Sequence, residues 1–90
     1  MMIRYYVIFE GRVQNVGFRY TLYREAIKLN ITGWAKNRLD GTVEAQFQGK
    51  KSDILFLINN LQKKSQFILI NDYFMKEIDI IPQESSFSIK

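Results

Sequence analysis

Arg19 stands in the first turn of a helix announced by the loop Gly11-Arg12-Val13-Gln14-Asn15-Val16-Gly17-Phe18. A helix N-terminus carries partial positive charge from its unpaired N–H groups, so a cation there is mildly unfavourable. The conflict disappears when an anion sits between the guanidinium and the backbone amides. Loop amides, a helix N-terminus and an arginine then form an anion cradle, with phosphate as its natural occupant. The rival reading is an ordinary connection whose arginine faces water. Local physics leaves both open.

What the chain lacks narrows the chemistry. It has no histidine, so imidazole acid–base catalysis is excluded, and no cysteine, so there is no thiolate nucleophile, disulfide or Cys-based metal site. No Gly-rich loop runs into Lys-Ser or Lys-Thr. The nine acidic residues are dispersed, which offers no clustered carboxylate ligands. Positioning and charge stabilisation remain, with water as the nucleophile. Such a site demands a labile substrate. An acyl phosphate, a carboxylic–phosphoric anhydride, suits it because its carboxylate leaves without a general acid.

The elements that must position these groups follow from hydrophobic period. Ile3, Tyr5, Val7 and Phe9 alternate with Arg4, Tyr6, Ile8 and Glu10, the signature of a strand. Phe18, Leu22, Ala26 and Leu29 recur at helical spacing, and Asn30 suits the left-handed position just past a helix end. A second strand spans Ile31 to Asn37, followed by the turn Arg38-Leu39-Asp40-Gly41, and Asp-Gly is a strong hairpin signal. Val43, Ala45 and Phe47 mark a third strand that Gly49 is expected to break. Ser52 is the expected N-cap of a second helix, with Asp53 in its first turn and Ile54, Leu57, Ile58 and Leu61 facing inward. A fourth strand is expected somewhere within Phe67 to Ile80, centred around Asp72 to Asp79, and a short fifth at Phe87-Ser88-Ile89. Phe67-Ile68-Leu69-Ile70 reads either as a buried connection or as the start of the fourth strand. Trp34 and Phe18 are expected core anchors. The order β-α-β-β-α-β with a short terminal strand is the ferredoxin-like split βαβ sandwich of the α+β class: an antiparallel sheet with two helices on one face. That fold hosts many activities and does not decide among them.

Ninety residues make one domain, 1–90. No apolar run approaches the roughly 20 residues of a membrane span, and the N-terminus reads directly as a strand, without a signal-peptide pattern. A small soluble cytoplasmic monomer is the expectation, although exposed strand edges leave a dimer open. The net charge of +4 suits an anionic ligand. The positive charges are nevertheless scattered, and Lys50-Lys51 and Lys63-Lys64 adjoin helix ends.

Two blocks carry a family resemblance. Gly11-Arg12-Val13-Gln14-Asn15-Val16-Gly17-Phe18-Arg19 is similar to the signature loop of the acylphosphatase family, and Gly33 to Glu44 (GWAKNRLDGTVE) looks like that family's second signature. Their order and separation also match, and the resemblance is specific over about residues 5 to 49. It implies that Arg19 binds phosphoryl oxygens together with backbone N–H groups of Gln14, Asn15, Val16, Gly17 and Phe18. It implies that Asn37 holds the attacking water through its side-chain amide. It further implies a small-molecule acyl phosphate substrate, with no metal, no cofactor, and no nucleic-acid or membrane partner. Arginine offers a bidentate fork that lysine cannot reproduce, and an amide can orient water without being charged. Read locally, Asn37 could instead simply start the hairpin turn, and Arg12 and Arg38 read as solvated loop cations.

The chain departs from the family pattern in three places. Asn15 and Asn30 stand where the family commonly has glycine, and Lys63-Lys64-Ser65-Gln66 replaces a usual Gly-Pro. If Asn15 needs a positive φ, asparagine is the least costly substitute. Two further readings come from other classes. One is a binding module that keeps the phosphate cradle without turnover and takes an acyl phosphate or carbamoyl phosphate. The other is an RRM-type RNA-binding domain, which shares the topology. Strand three has a single aromatic, Phe47, and lacks the basic–aromatic motif such a domain needs.

Overall fold

Tyr5, Val7 and Phe9 turn to one side of strand β1 (Met2–Arg12) and are buried, as the alternation predicts. The computed structural model describes residues 1–90. After β1 come helix α1 (Phe18–Lys28), β2 (Thr32–Asn37), β3 (Val43–Lys50), α2 (Lys51–Asn60), a 3-10 turn (Leu61–Lys63), β4 (Leu69–Ile78) and β5 (Phe87–Ile89). The sheet order is β4-β1-β3-β2-β5. The four longer strands pair antiparallel, and β5 joins β2 in parallel, so the sheet is mixed and not wholly antiparallel as expected. Helix α1 packs over β2 and β5, and α2 over β3. None of the helices is long and apolar enough to cross a membrane.

Packing fixes the start of α1. Phe18, its first residue, is buried and meets Phe9 of β1 edge-on, with ring centroids 5.0 Å apart. Burying such a ring is worth about 1.5–3 kcal/mol, and the aromatic pair adds about 0.5–1.5 kcal/mol. Leu22 and Ala26 continue the buried stripe, and Leu29 packs partly against the core. Asn30 takes φ 56°, the left-handed conformation expected after the helix.

Four expectations need correction. Gly49 does not break β3. It pairs with Ile3 inside the strand, and a Cβ there would come within 3.3 Å of Ile31 Cγ1, so glycine makes room for a core residue. Ser52 is not the N-cap of α2. The helix begins at Lys51, caps on Lys50 and has no side-chain cap hydrogen bond. Strand β4 lies within the expected Phe67 to Ile80 but starts at Leu69, ahead of the Asp72 to Asp79 centre, and divides the ambiguous apolar run: Ile68 is buried, Leu69 and Ile70 enter the strand, and Phe67 stays exposed. Gln62 supports this junction by donating to Ile68 O and accepting from Ile70 N–H at 2.8 Å. Finally, Trp34 is half-buried and not a core anchor. Strand alternation buries Gly33 and Ala35 and turns Trp34 to the opposite face, where Lys90 Nζ sits 4.5 Å from its ring centroid.

That opposite face holds a buried charge. Arg4 is fully buried and donates to Gln46 Oε1 at 2.7 Å, Gln48 Oε1 at 3.1 Å and Glu84 at 2.7 and 3.2 Å. Gln48 also exchanges two hydrogen bonds with the backbone of Ile81. The segment between β4 and β5 is thereby strapped across the sheet. Burial alone would raise the Glu84 carboxyl pKa, but its hydrogen bonds, chiefly from Arg4, and the charges of Arg4 and Lys90 outweigh it and hold the pKa below its ordinary value.

Candidate active site

The loop between β1 and α1 contains two residues in left-handed conformations, Asn15 at φ 61° and Gly17 at φ 75°. Asn15 therefore lies in the left-handed region that asparagine visits more readily than most residues. Gly17 is the N-cap of α1, and a Cβ there would meet no atom within 4 Å. Its role is backbone conformation, not space. Helix α1 has neither a side-chain cap nor an acid in its first turn. Its leading N–H groups thus lack the partners that normally satisfy them.

A pocket of about 250 Å³ opens at this helix end, lined among others by Asn15, Gly17, Phe18, Arg19, Asn37 and Ile89. The fold thus brings together Arg19 and Asn37, 18 residues apart in sequence and carried by different elements. Of the five loop residues singled out, Asn15, Gly17 and Phe18 line the pocket, and Gln14 and Val16 do not. Val16 packs partly against the core. Arg12 is exposed, and the Arg38 guanidinium sits 3.7 Å from Asp40 in the hairpin turn, outside the pocket.

Arg19 Nη1 donates to the main-chain oxygen of Lys90 at 2.6 Å. Lys90 is itself tied to β2, its N–H donating to Ala35 O at 2.8 Å. This contact points the guanidinium toward the strand that carries Asn37. Asn37 Oδ1 is shut off from bulk solvent and has no hydrogen-bond partner in the protein. An unpaired buried acceptor costs about 1–3 kcal/mol, a cost the fold bears at this position. Asn37 also lines a second hollow of about 500 Å³ on the hairpin side, with Lys36, Arg38 and Glu44.

The hairpin holding Asn37 is well braced. Asp40 Oδ1 accepts from the Thr42 N–H at 3.0 Å and from its hydroxyl at 2.6 Å, and these bonds lower the Asp40 pKa. Gln14 Nε2 donates to the main-chain oxygens of Arg38 at 2.7 Å and Thr42 at 3.0 Å. The side chain of Gln14 is therefore a strut between the loop and the hairpin, a role the sequence reading missed. The Lys90 contact was missed as well. No local pattern signals either, because the partners lie 24 to 28 and 71 residues away. A larger cleft of about 290 Å³ lies beside Tyr23, Ile27 and Phe87, but no cationic side chain lines it, so it does not compete as an anion site.

The family model described as Acylphosphatase matches residues 5–89. An acylphosphatase of Clostridium beijerinckii is 40% identical over 89 residues, covering 99% of each chain. The crystal structure of acylphosphatase from Bacillus subtilis superposes with a TM-score of 0.89 at 36% identity, covering 100% of this chain and 99% of that one. The T. kodakarensis HypF structure matches with a TM-score of 0.85 at 34% identity, but over only 12% of its own length. Family model, near-complete relatives and fold agree, and the chain belongs to the acylphosphatase family.

Proposed function

We propose that the chain hydrolyses acyl phosphates by direct attack of water on phosphorus, with Arg19 and Asn37 as its catalytic side chains. The phosphoryl oxygens sit against the Arg19 guanidinium, backbone N–H groups of the pocket-lining loop residues Asn15, Gly17 and Phe18, and the uncapped start of α1. The side-chain amide of Asn37 holds the attacking water and fixes its direction. Water oxygen bonds to phosphorus as the bond from phosphorus to the bridging oxygen breaks. The carboxylate departs with the electron pair, and a phosphate oxygen takes the proton released by the water. No protein group need give or take a proton, which suits a site built from an arginine and an amide. The single observation that carries this reading is the convergence of Arg19 and Asn37 on one pocket at the uncapped start of α1.

The catalytic unit on this reading is one chain binding a small molecule, because one chain supplies the whole pocket. Its proposed setting is the cytoplasm, supported by composition alone. The test is hydrolysis of benzoyl phosphate, without added metal, by wild type, Arg19→Ala and Asn37→Ala, with folding followed by circular dichroism. Both folded variants are expected to lose about 10²–10³-fold in kcat, the scale of a lost charge-stabilising or positioning group. Activity within threefold of wild type in either variant would remove that residue from the mechanism. A folded, inactive wild type that still binds inorganic phosphate would favour the binding-module reading.

A further inference from the structure

Strand β4 is one edge of the sheet, paired only with β1. It is ten residues long and contains no proline, and Phe74 is 54% exposed and Tyr73 43%. A long open edge presents N–H and C=O groups to any second strand, and here the Tyr73 N–H is held by Asp72 Oδ1 at 2.8 Å, which leaves Oδ2 for a partner. The register with β1 sorts its side chains by face. Tyr73 and Met75 lie opposite Phe9 and Val7 on the helix-covered side. Asp72, Phe74 and Lys76 lie opposite Glu10, Ile8 and Tyr6 on the other. Asp72 and Lys76 flank Phe74 symmetrically, and neither joins any of the chain's four salt bridges.

We propose that the β4 edge is a docking surface for a second copy of this chain, paired antiparallel about a two-fold axis through Phe74. In that register each Asp72 faces Lys76 of the second copy, Phe74 faces Phe74, and Tyr73 faces Met75. Opposite charges directly across an antiparallel pair attract, and like charges repel. The register is selective. Sliding the partner by two residues either way sets both charges opposite apolar side chains, and sliding by four sets Lys76 on Lys76 or Asp72 on Asp72. A two-fold axis perpendicular to the sheet keeps both helix layers on one face and continues the sheet across the interface. The interface is a single strand pair, smaller than the roughly 1,200–2,000 Å² of stable complexes, so the association is weak and shows only at high concentration.

The experiment is sedimentation equilibrium from about 10 μM to 1 mM, a range that brackets weak association, on wild type, Lys76→Asp, Asp72→Lys and the double swap. Wild type is expected to show a concentration-dependent dimer. Each single reversal places like charges opposite each other and is expected to raise the dissociation constant by at least about tenfold. The double swap restores complementarity and is expected to return within about threefold of wild type. All three variants change exposed residues outside the catalytic pocket, so benzoyl phosphate hydrolysis at low concentration stays unchanged. A wild type that sediments as a monomer throughout would overturn the proposal. So would a dimer indifferent to both single reversals, or one the double swap fails to restore.

Discussion

Replacing Gln14 with leucine isolates the strut between the phosphate loop and the hairpin. Leucine keeps much of the side chain's bulk and removes both hydrogen bonds, to Arg38 O and Thr42 O. Each bond is worth about 0.5–1.5 kcal/mol net. Both carbonyls keep another partner, since Thr42 O accepts from Arg38 N–H at 2.9 Å and Arg38 O from Gly41 N–H at 3.2 Å. The expected loss of stability is therefore about 1–2 kcal/mol, the low end of the sum. The effect on rate is expected to be larger. Asn37 immediately precedes Arg38, so slack at the strut becomes misplacement of the water relative to phosphorus. A shift near 1 Å costs about 10²-fold. The assay pairs benzoyl phosphate kinetics with inhibition by inorganic phosphate. The loop and α1 still bind the anion, so the phosphate inhibition constant should stay within about threefold while kcat falls about 10²-fold. A folded Gln14→Leu variant with unchanged kcat would refute the strut. Loss of phosphate affinity in parallel with kcat would show instead that Gln14 shapes the cradle and not the alignment.

Glu84→Gln is expected to destabilise the fold by about 3 kcal/mol, because Arg4 remains buried with its charge unpaired. The folded-state pKa of Glu84 lies below its unfolded value of about 4.3. Its contribution is thus present above that pH and lost as pH falls through the folded-state pKa. Urea denaturation across that acid range should show a shallower pH slope for Glu84→Gln than for wild type, and parallel slopes would contradict the ion-pair account. Asn15→Gly should keep activity within about twofold and stability within about 1 kcal/mol, because asparagine already adopts the left-handed conformation glycine would take. A large loss of turnover in that variant, with folding intact, would show that the Asn15 side chain takes part in catalysis.

Features set by adjacent residues were the legible ones. Period identified β1, α1 and the inward stripe of α2, and Asp40-Gly41 identified the hairpin. The proximity of Arg19 to the loop and the helix start was legible because the three are contiguous. Illegible features depended on residues far apart. Arg4 sits in a strand pattern as an outward polar residue, and only a segment 80 positions later covers it. Gly49 looked like a breaker because nothing local reveals that Ile31 needs its missing Cβ. The start of β4 was ambiguous because a short apolar run has no period of its own. Its pairing with Gly11 and Arg12 and the bonds from Gln62 decide it.

The central place of β1 bears on how the chain is made. Its partners arrive late, since Met2 pairs with Lys50 and Arg4 with Ile78. Such non-local pairing requires long loops to close before contacts compensate, which slows folding. Synthesis proceeds from the N-terminus, so Arg19 and Asn37 emerge well before β4 exists. During that interval β1 has at most one neighbour, and the edge that β4 later pairs with stands open. A strand of this kind is the segment a nascent chain must shield from its neighbours. The last large element to dock therefore closes the aggregation hazard left by the first.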